Sequence, residues 1–448
     1  MGDQLQENKF QKLTTEAVPK LICQLAIPTI ISMLITSLYV MADTYFVGQI
    51  DTQSTAAVGV SFSVMSIVQA FGFFFGHGSG NYIARKLGAQ EYETAGRMAA
   101  TGFFLSFGFG IFIWLVGELF LEPICLGLGS TPTILPYSLR YLGTVLWGAP
   151  FMAASLTMNN QMRFQANAAY AMVGIASGAL LNILLDPILI FTFDMGVAGA
   201  GLSTVISQMC SFSILLFMTR RGGNIRIEAR NFKPTWELVK EIAYGGSPSL
   251  CRQGLSSIAT ILLNTAAGRY GDAAIAGMSI VTRICLFINS CIVGFGQGYQ
   301  PVCGFNYGAK LFARVRKGFW FCVRSEAIFL CCMAILSYIF ATDIVSWFRA
   351  DDPEVIAIGA EALRWQVLPI SLSAWTVSCN MTLQTIRQPA RAITLAAARQ
   401  GLFFIPLILT LPYLFGLKGV EMCQALADAL SFLLAIPLML PTLREWRG

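Results

Sequence analysis

Long apolar runs separated by short polar breaks dominate the chain. Each run holds about twenty residues, the length a helix needs to cross the hydrocarbon core of a bilayer. Runs and breakers predict helices near 21–47, 56–84, 95–120, 133–158, 165–192 and 197–219. The longest polar stretch follows, residues 220–237, with Arg220, Arg221, Arg226, Arg230 and Lys233. Six more helices are predicted near 238–267, 273–300, 315–341, 354–383, 392–414 and 418–441. The expected fold class is an all-α polytopic membrane protein, with twelve transmembrane helices in two pseudo-symmetric six-helix lobes. The N-lobe is expected at 1–219, a cytoplasmic linker at 220–237 and the C-lobe at 238–448.

The two halves repeat. Ala26-Ile27-Pro28 recurs as Gly246-Ser247-Pro248, and Gly78-Ser79-Gly80 as Gly296-Gln297-Gly298. Gly88-Ala89 recurs as Gly308-Ala309, Gly196-x-x-Gly199 as Gly416-x-x-Gly419, and Pro150 answers Pro369. The offset stays at about 220 residues, in the same order throughout. Six helices per half, in one orientation, make a parallel repeat about an axis along the membrane normal. That architecture suits rocking alternating access around a cavity between lobes.

Orientation is read from lysine and arginine, which collect in cytoplasmic loops. The polar first twenty residues carry Lys9, Lys12 and Lys20 and show no cleavable signal. The even-numbered loops and the C-terminus add Arg85, Lys86, Arg97, Arg163, the central stretch, Lys310, Arg314, Arg316, Lys317, Arg387, Arg391, Arg444 and Arg447. The odd-numbered loops hold chiefly Arg269, Arg349 and Lys418. Both termini are therefore expected in the cytoplasm. Short loops point to a cell (inner) membrane.

Composition supports the same class. The chain is 55% hydrophobic and 12% charged, with mean hydropathy +0.64. A soluble protein would carry about twice that charge fraction. The runs are about twice the length of a tilted barrel strand, which argues against a β-barrel. The net charge of +6 needs no nucleic acid to explain it. Twelve cysteines scattered through apolar runs read as small buried hydrophobes. His77, the sole histidine, sits in a Gly-rich turn and reads as a packing residue, so no metal site is expected. No HExxH, nucleophile elbow or P-loop is present, which argues against an enzyme and against an ATP-driven pump.

The chemistry lies in the acids. Asp43 sits in the apolar run 27–46, and a carboxylate at mid-bilayer costs about 3 kcal/mol even on the lenient insertion scale. Asp186 lies in the run 180–193 and is followed by Pro187. Buried membrane acids mark an ion or proton path. Asn182 and Asp186 are spaced i,i+4 and share a helix face, as do Tyr39 and Asp43. Pro187 cannot donate to the carbonyl of Ile183, so that oxygen is free for a cavity or cation. Pro28 permits a kink about four turns before Asp43. Carboxylate, amide and hydroxyl oxygens suit a hard cation, and paired carboxyls in low dielectric equally hold a proton. Sequence does not separate H+ from Na+. Asp428 reads as a third intramembrane acid, placed to pair with Arg399 or Arg283. Arg252, Arg283 and Arg399 are expected either paired or lining a cationic C-lobe cavity.

The chain resembles the MATE family of multidrug and toxic compound extrusion transporters. The resemblance covers essentially the whole chain. It rests on Pro28…Tyr39…Asp43-Thr44, on Gly78-x-Gly80…Arg85…Gly88, on Asn182-x-x-x-Asp186-Pro187 and on Gly196-x-x-Gly199. It implies two six-helix lobes and secondary active export of organic cations and amphiphilic drugs, by antiport with H+ or Na+, from a monomer without cofactor. Some members of the family use a helix-7 glutamate. Here the stretch 243–267 of helix 7 holds no acid but holds Arg252, so that site is missing. The resemblance implies cation coupling by Asp43, Asn182, Asp186 and Thr204, with the Ala200 carbonyl as a weaker candidate and Na+ possible at the same four residues. It implies Tyr39, Tyr141 and Asn159 as substrate-binding residues. Phe71, Phe75, Met65 and Met172 are further candidates for a greasy cavity. The competing function is a flippase for lipid-linked or anionic lipids, argued from the three arginines. A negative N-lobe pocket favours drug export, and a basic cleft favours flipping.

Overall fold

The computed structural model describes residues 2–348 and 352–446, so Arg349 and Arg447 of the orientation argument lie outside the described residues. Among the described residues the regular structure is helical throughout. The polar N-terminus itself forms a helix, α1 (Gly2–Thr15). Next come α2 (Val18–Gly48), α3 (Thr52–Gly88), α4 (Tyr92–Leu119), the short α5 (Leu121–Gly127), α6 (Leu135–Val145) and α7 (Ala149–Phe164). The first half ends with α8 (Ala168–Pro187) and α9 (Gly196–Met218). The second half contains α10 (Trp236–Gly268), α11 (Asp272–Gly308), α12 (Phe312–Ile339), the short α13 (Ala341–Phe348), α14 (Pro353–Val367) and α15 (Ser373–Thr385). It closes with α16 (Pro389–Ala397), α17 (Phe404–Phe415) and α18 (Leu417–Glu445).

Twelve spans emerge when α6 with α7, α14 with α15, and α16 with α17 are each taken as one broken span. Among the described residues, nine helices, each counted with any tight turn that continues it, are long and apolar enough to cross a membrane, and α14 with α15 makes a tenth, bent by 41°. The other two are more polar. The span α6–α7 carries Arg140, Asn159, Asn160, Gln161 and Arg163, and α10 carries Glu237, Lys240, Glu241 and Arg252. Helices are the natural choice here, because backbone groups in lipid must be satisfied within the segment. Helix starts are set locally. Asp51 is extended and accepts the Ser54 N–H at 2.6 Å, and Asp352 accepts from Glu354 and Val355 ahead of Pro353.

The repeat is visible in the backbone. Gln90 and Lys310 both have φ of 59°, and Ala166 and Arg387 have 62° and 64°, at offsets of 220 and 221. Gly196 and Gly416 open α9 and precede α18 with φ of 56° and 61°, a region costly for other residues. Gly199 and Gly419 serve a second need. A Cβ on either would lie 2.7 Å from the Leu189 oxygen or 2.3 Å from the Leu411 oxygen. Each therefore lets its helix close onto the one before it.

Packing divides the chain into two compact units. The first comprises Met1–Glu16 and Ile27–Gly246; the second comprises Ala17–Ala26 and Ser247–Gly448. The boundaries fall inside α2 and α10, just before Pro28 and Pro248. In the first unit, the start of α10 packs on α3: a Cβ at Gly78 would meet the Ile242 oxygen at 2.3 Å, and one at Gly246 the Phe74 oxygen at 2.2 Å. In the second, the start of α2 packs on α11, where a Cβ at Gly298 would meet Ala26 at 2.5 Å. The stretch 220–237 belongs to the first unit. There Gln6 and Lys9 of α1 reach the Gly223 carbonyl at 3.5 and 3.4 Å.

Candidate functional site

The site of the first unit is built on one stripe of α8. Gly174, Gly178, Asn182 and Asp186 follow each other at i,i+4 spacing, hence on one face. The two glycines let α9 approach closely. A Cβ at Gly174 would lie 2.2 Å from Leu215, and one at Gly178 would lie 2.8 Å from Ser211. That approach brings Asn182 against α9. Its Nδ2 donates to Ser203 Oγ at 3.0 Å and reaches Thr204 Oγ1 at 3.5 Å. Ser203 donates back to the Asn182 carbonyl at 3.3 Å, and Thr204 donates to the Ala200 carbonyl at 3.0 Å. The Ala200 oxygen is thus already engaged by Thr204. After Pro187 the helix widens into a π turn, Ile188–Thr192, a local form frequent at functional sites.

Asp43 and Tyr39 come from α2, and Tyr141 from α6. The Asp43 and Asp186 side chains lie within hydrogen-bonding reach of each other, and the hydroxyls of Tyr39 and Tyr141 lie beside Thr204. Asp186 is fully buried and Asp43 half-buried. Asp43 Oδ1, both carboxylate oxygens of Asp186 and Asn182 Oδ1 have no hydrogen-bond partner. Ser203 donates to the Asn182 carbonyl instead, and two carboxylates cannot donate to each other unless one holds a proton. Four acceptor oxygens are therefore left for a cation or a proton to satisfy.

Asp43 opens onto a cavity of about 470 Å³. Tyr39, Tyr141, Asn182 and Thr204 also line it, with Met65 and Phe62 among the apolar walls. Asp43 is the only charged residue of the lining among the described residues. Of the sequence-predicted site, the structure brings Tyr39, Asp43, Tyr141, Asn182, Asp186 and Thr204 together. Asn159 lies elsewhere: its Nδ2 ties α7 to the Ala171 carbonyl of α8 at 3.0 Å. Phe71 stacks on Phe109 at 4.1 Å in a cluster that includes Phe75, and neither these nor Met172 lines the cavity. Pro28 lies within α2, at the boundary between the two units. His77 is buried, stacked on Phe73 with Nδ1 3.1 Å from the Phe73 carbonyl.

In the second unit, Asp428 pairs with Arg399, by Nε to Oδ1 at 2.6 Å and a second nitrogen to Oδ2 at 3.2 Å. Gln424 donates to the same carboxylate at 2.8 Å. Arg283 is exposed, and Arg252 donates to Asn380 Oδ1 at 3.2 Å. Sequence reasoning missed three groups. Ser203 looked like any helix serine. Two further helical acids, Glu326 of α12 and Glu421 near the start of α18, are each only 2% exposed. Glu326 follows Arg324 and Ser325, so within the predicted helix 315–341 it resembles part of a polar face rather than a lone buried acid.

The family model MatE matches this chain twice, over residues 28–188 and 248–410, with starts 220 residues apart. The chain is 27% identical over 420 residues to the multidrug export protein MepA of Staphylococcus haemolyticus, covering 93% of this chain and 92% of that protein. It is 28% identical over 421 residues to MepA of Staphylococcus aureus (strain MSSA476), with the same coverage. Its fold is similar to a crystal structure of MATE in complex with MaL6, with a TM-score of 0.92 at 24% identity, over 97% of this chain and 98% of that one. The doubled match, the relatives and the twelve-span fold have one consequence: the chain belongs to the MATE family of membrane transporters.

Proposed function

We propose that this protein exports organic cations and amphiphilic drugs by antiport with protons, coupled at Asp43 and Asp186. The observation that carries this is the pair of apposed carboxyls with unpaired oxygens, of which Asp43 opens onto a cavity that has no basic residue in its lining among the described residues. An acidic pocket with aromatic and apolar walls attracts a lipophilic cation by charge and accommodates varied shapes. The same acids hold a proton when the cation is absent. Proton and drug thus contend for one charge, and alternating access turns that contention into exchange. Asn182 and Thr204 orient the site, and Tyr39 and Tyr141 form its wall. Both relatives' names describe multidrug export, which agrees with this reading. The protein would work as a monomer in the cell membrane, with both termini in the cytoplasm.

Lipid flipping is the weaker reading, since its arginines are engaged or exposed: Arg399 with Asp428, Arg252 with Asn380, and Arg283 on the surface. The test is efflux of a fluorescent organic cation from proteoliposomes under separately imposed gradients. A proton gradient should drive export and a sodium gradient at equal pH should not. Drive by sodium alone would replace the proton with Na+ at the same four residues. No cation movement under either gradient would remove drug export as the function.

A further inference from the structure

The coupling acids of the first unit have no counterparts in the second. At an offset of 220, Asp43 answers to Leu263 and Asp186 to Pro406. The second unit buries an acid of its own, Glu326, between α11, α12 and α15. The repeat shows what normally fills that seam. Thr157 donates to Ser106 at 2.8 Å in the first unit, where Ser378 donates to Glu326 Oε2 at 2.8 Å in the second. Two neighbouring pairs fix the correspondence. Gln161 to Ser79 at 3.0 Å matches Thr382 to Tyr299 at 3.5 Å, which sets Ser79 opposite Tyr299 and not opposite Gln297 as the glycine pattern of the sequence had it, and Asn159 to the Ala171 carbonyl matches Asn380 to the Ala392 carbonyl. The fold therefore closes this seam with neutral hydroxyls and does not require a carboxylic acid there.

Among the described residues Glu326 has no basic partner in the seam. Its contacts are the Ser378 hydroxyl and the Cys322 thiol, the latter donating to Oε1 at 3.3 Å. Of the titratable groups near it, Cys322 is on its own helix, Cys379 is on α15, and Cys303 and Tyr299 of α11 follow beyond Cys322. The charged groups of α13 and α14 point elsewhere: Asp343 is exposed, Glu361 pairs with Lys418, and Arg364 reaches Thr342. Glu326 lies fourteen residues into α12, about 21 Å along the helix at 1.5 Å per residue. Cys322 lies one turn nearer the start of α12 than Glu326, and Cys303, Tyr299 and Thr382 beyond it are, like it, fully buried.

We propose that Glu326 is a second proton-carrying site, in the C-lobe. Its part in transport rests on the export reading above; its proton binding does not. The test is therefore a proton count on the purified full-length protein, by titration between about pH 5 and pH 9. Native protein is compared with Glu326→Gln and with Glu326→Ser, the second patterned on the Ser106–Thr157 pair so that the seam still closes. Each variant should bind about one proton fewer over that range. In proteoliposomes, Glu326→Gln should flatten the pH dependence of efflux while Glu326→Asp retains it. An unchanged count in both Glu326 variants overturns the proposal and makes Glu326 a packing group. If native protein moves no cation but the count still falls, the export reading fails and the proton site stands.

Discussion

Asp186 is fully buried, yet neither of its oxygens has a hydrogen-bond partner. Such a group costs about 1–3 kcal/mol or more unless something supplies the missing hydrogen or charge. The structure places Asp43 beside it, so one shared proton would satisfy both. We expect Asp186→Asn to remove that exchange while supplying donors of its own. Efflux should fall by about tenfold or more, which corresponds to about 1.4 kcal/mol, with the melting temperature little changed. Initial rates in liposomes and thermal unfolding in detergent check both halves. Arg399 and Asp428 test a different kind of pair. Breaking it with Arg399→Gln leaves a buried acid unpaired, a loss of about 3–5 kcal/mol, and a double variant with Asp428→Asn should recover part of it. Asp43 and Asp186 were legible because each interrupts a long apolar run alone. Glu326 was not, because Arg324 and Ser325 beside it make that turn of the predicted helix 315–341 read as a polar face. Asn159 has the right residue type for a pocket, but its amide serves the backbone of Ala171 instead.

Glycine, proline and the turns they allow shape the elements. The twelve spans were legible from run length alone, since lipid demands helices of that length. The breaks within spans were not. Leu146–Gly148 and Ile370–Leu372 are short 3₁₀ turns near Pro150 and Pro369, and apolar composition continues straight through them. Helix α1 was also unforeseen, since its residues are polar and its contact to the Gly223 carbonyl is tertiary. Gly199→Ala should cost about 1–3 kcal/mol by overpacking, because its Cβ would sit 2.7 Å from the Leu189 oxygen. Gly108→Ala is the control, having nothing within 4 Å. Thermal unfolding of the two variants in detergent separates them. Pro28 stands where α2 leaves one unit for the other. Pro28→Leu should weaken efflux while membrane insertion stays intact, as read from rate per inserted protein. Normal efflux by that variant would disconnect the kink from transport.

At the scale of the molecule, one six-helix plan is used twice. Matching left-handed residues, matching glycines and the doubled family match all keep the offset of about 220. The chemistry is not duplicated with the plan. The first unit holds an unpaired acid pair beside its cavity, whereas the second ties Asp428 to Arg399 and buries Glu326 apart. On the proposed reading, that asymmetry assigns coupling to the first unit, and the imposed gradient sets the direction of exchange. The helix starts exchanged between the units lie beyond sequence reading, because apolar content does not say which neighbour a helix end will choose. The most direct measurement is efflux of a fluorescent organic cation from proteoliposomes under an imposed proton gradient, comparing the native chain with Asp43→Asn. The account predicts export by the native protein and a variant that still binds the dye but no longer moves it with the gradient. Equal export by both would contradict coupling at Asp43 and move the search to the acids of the second unit.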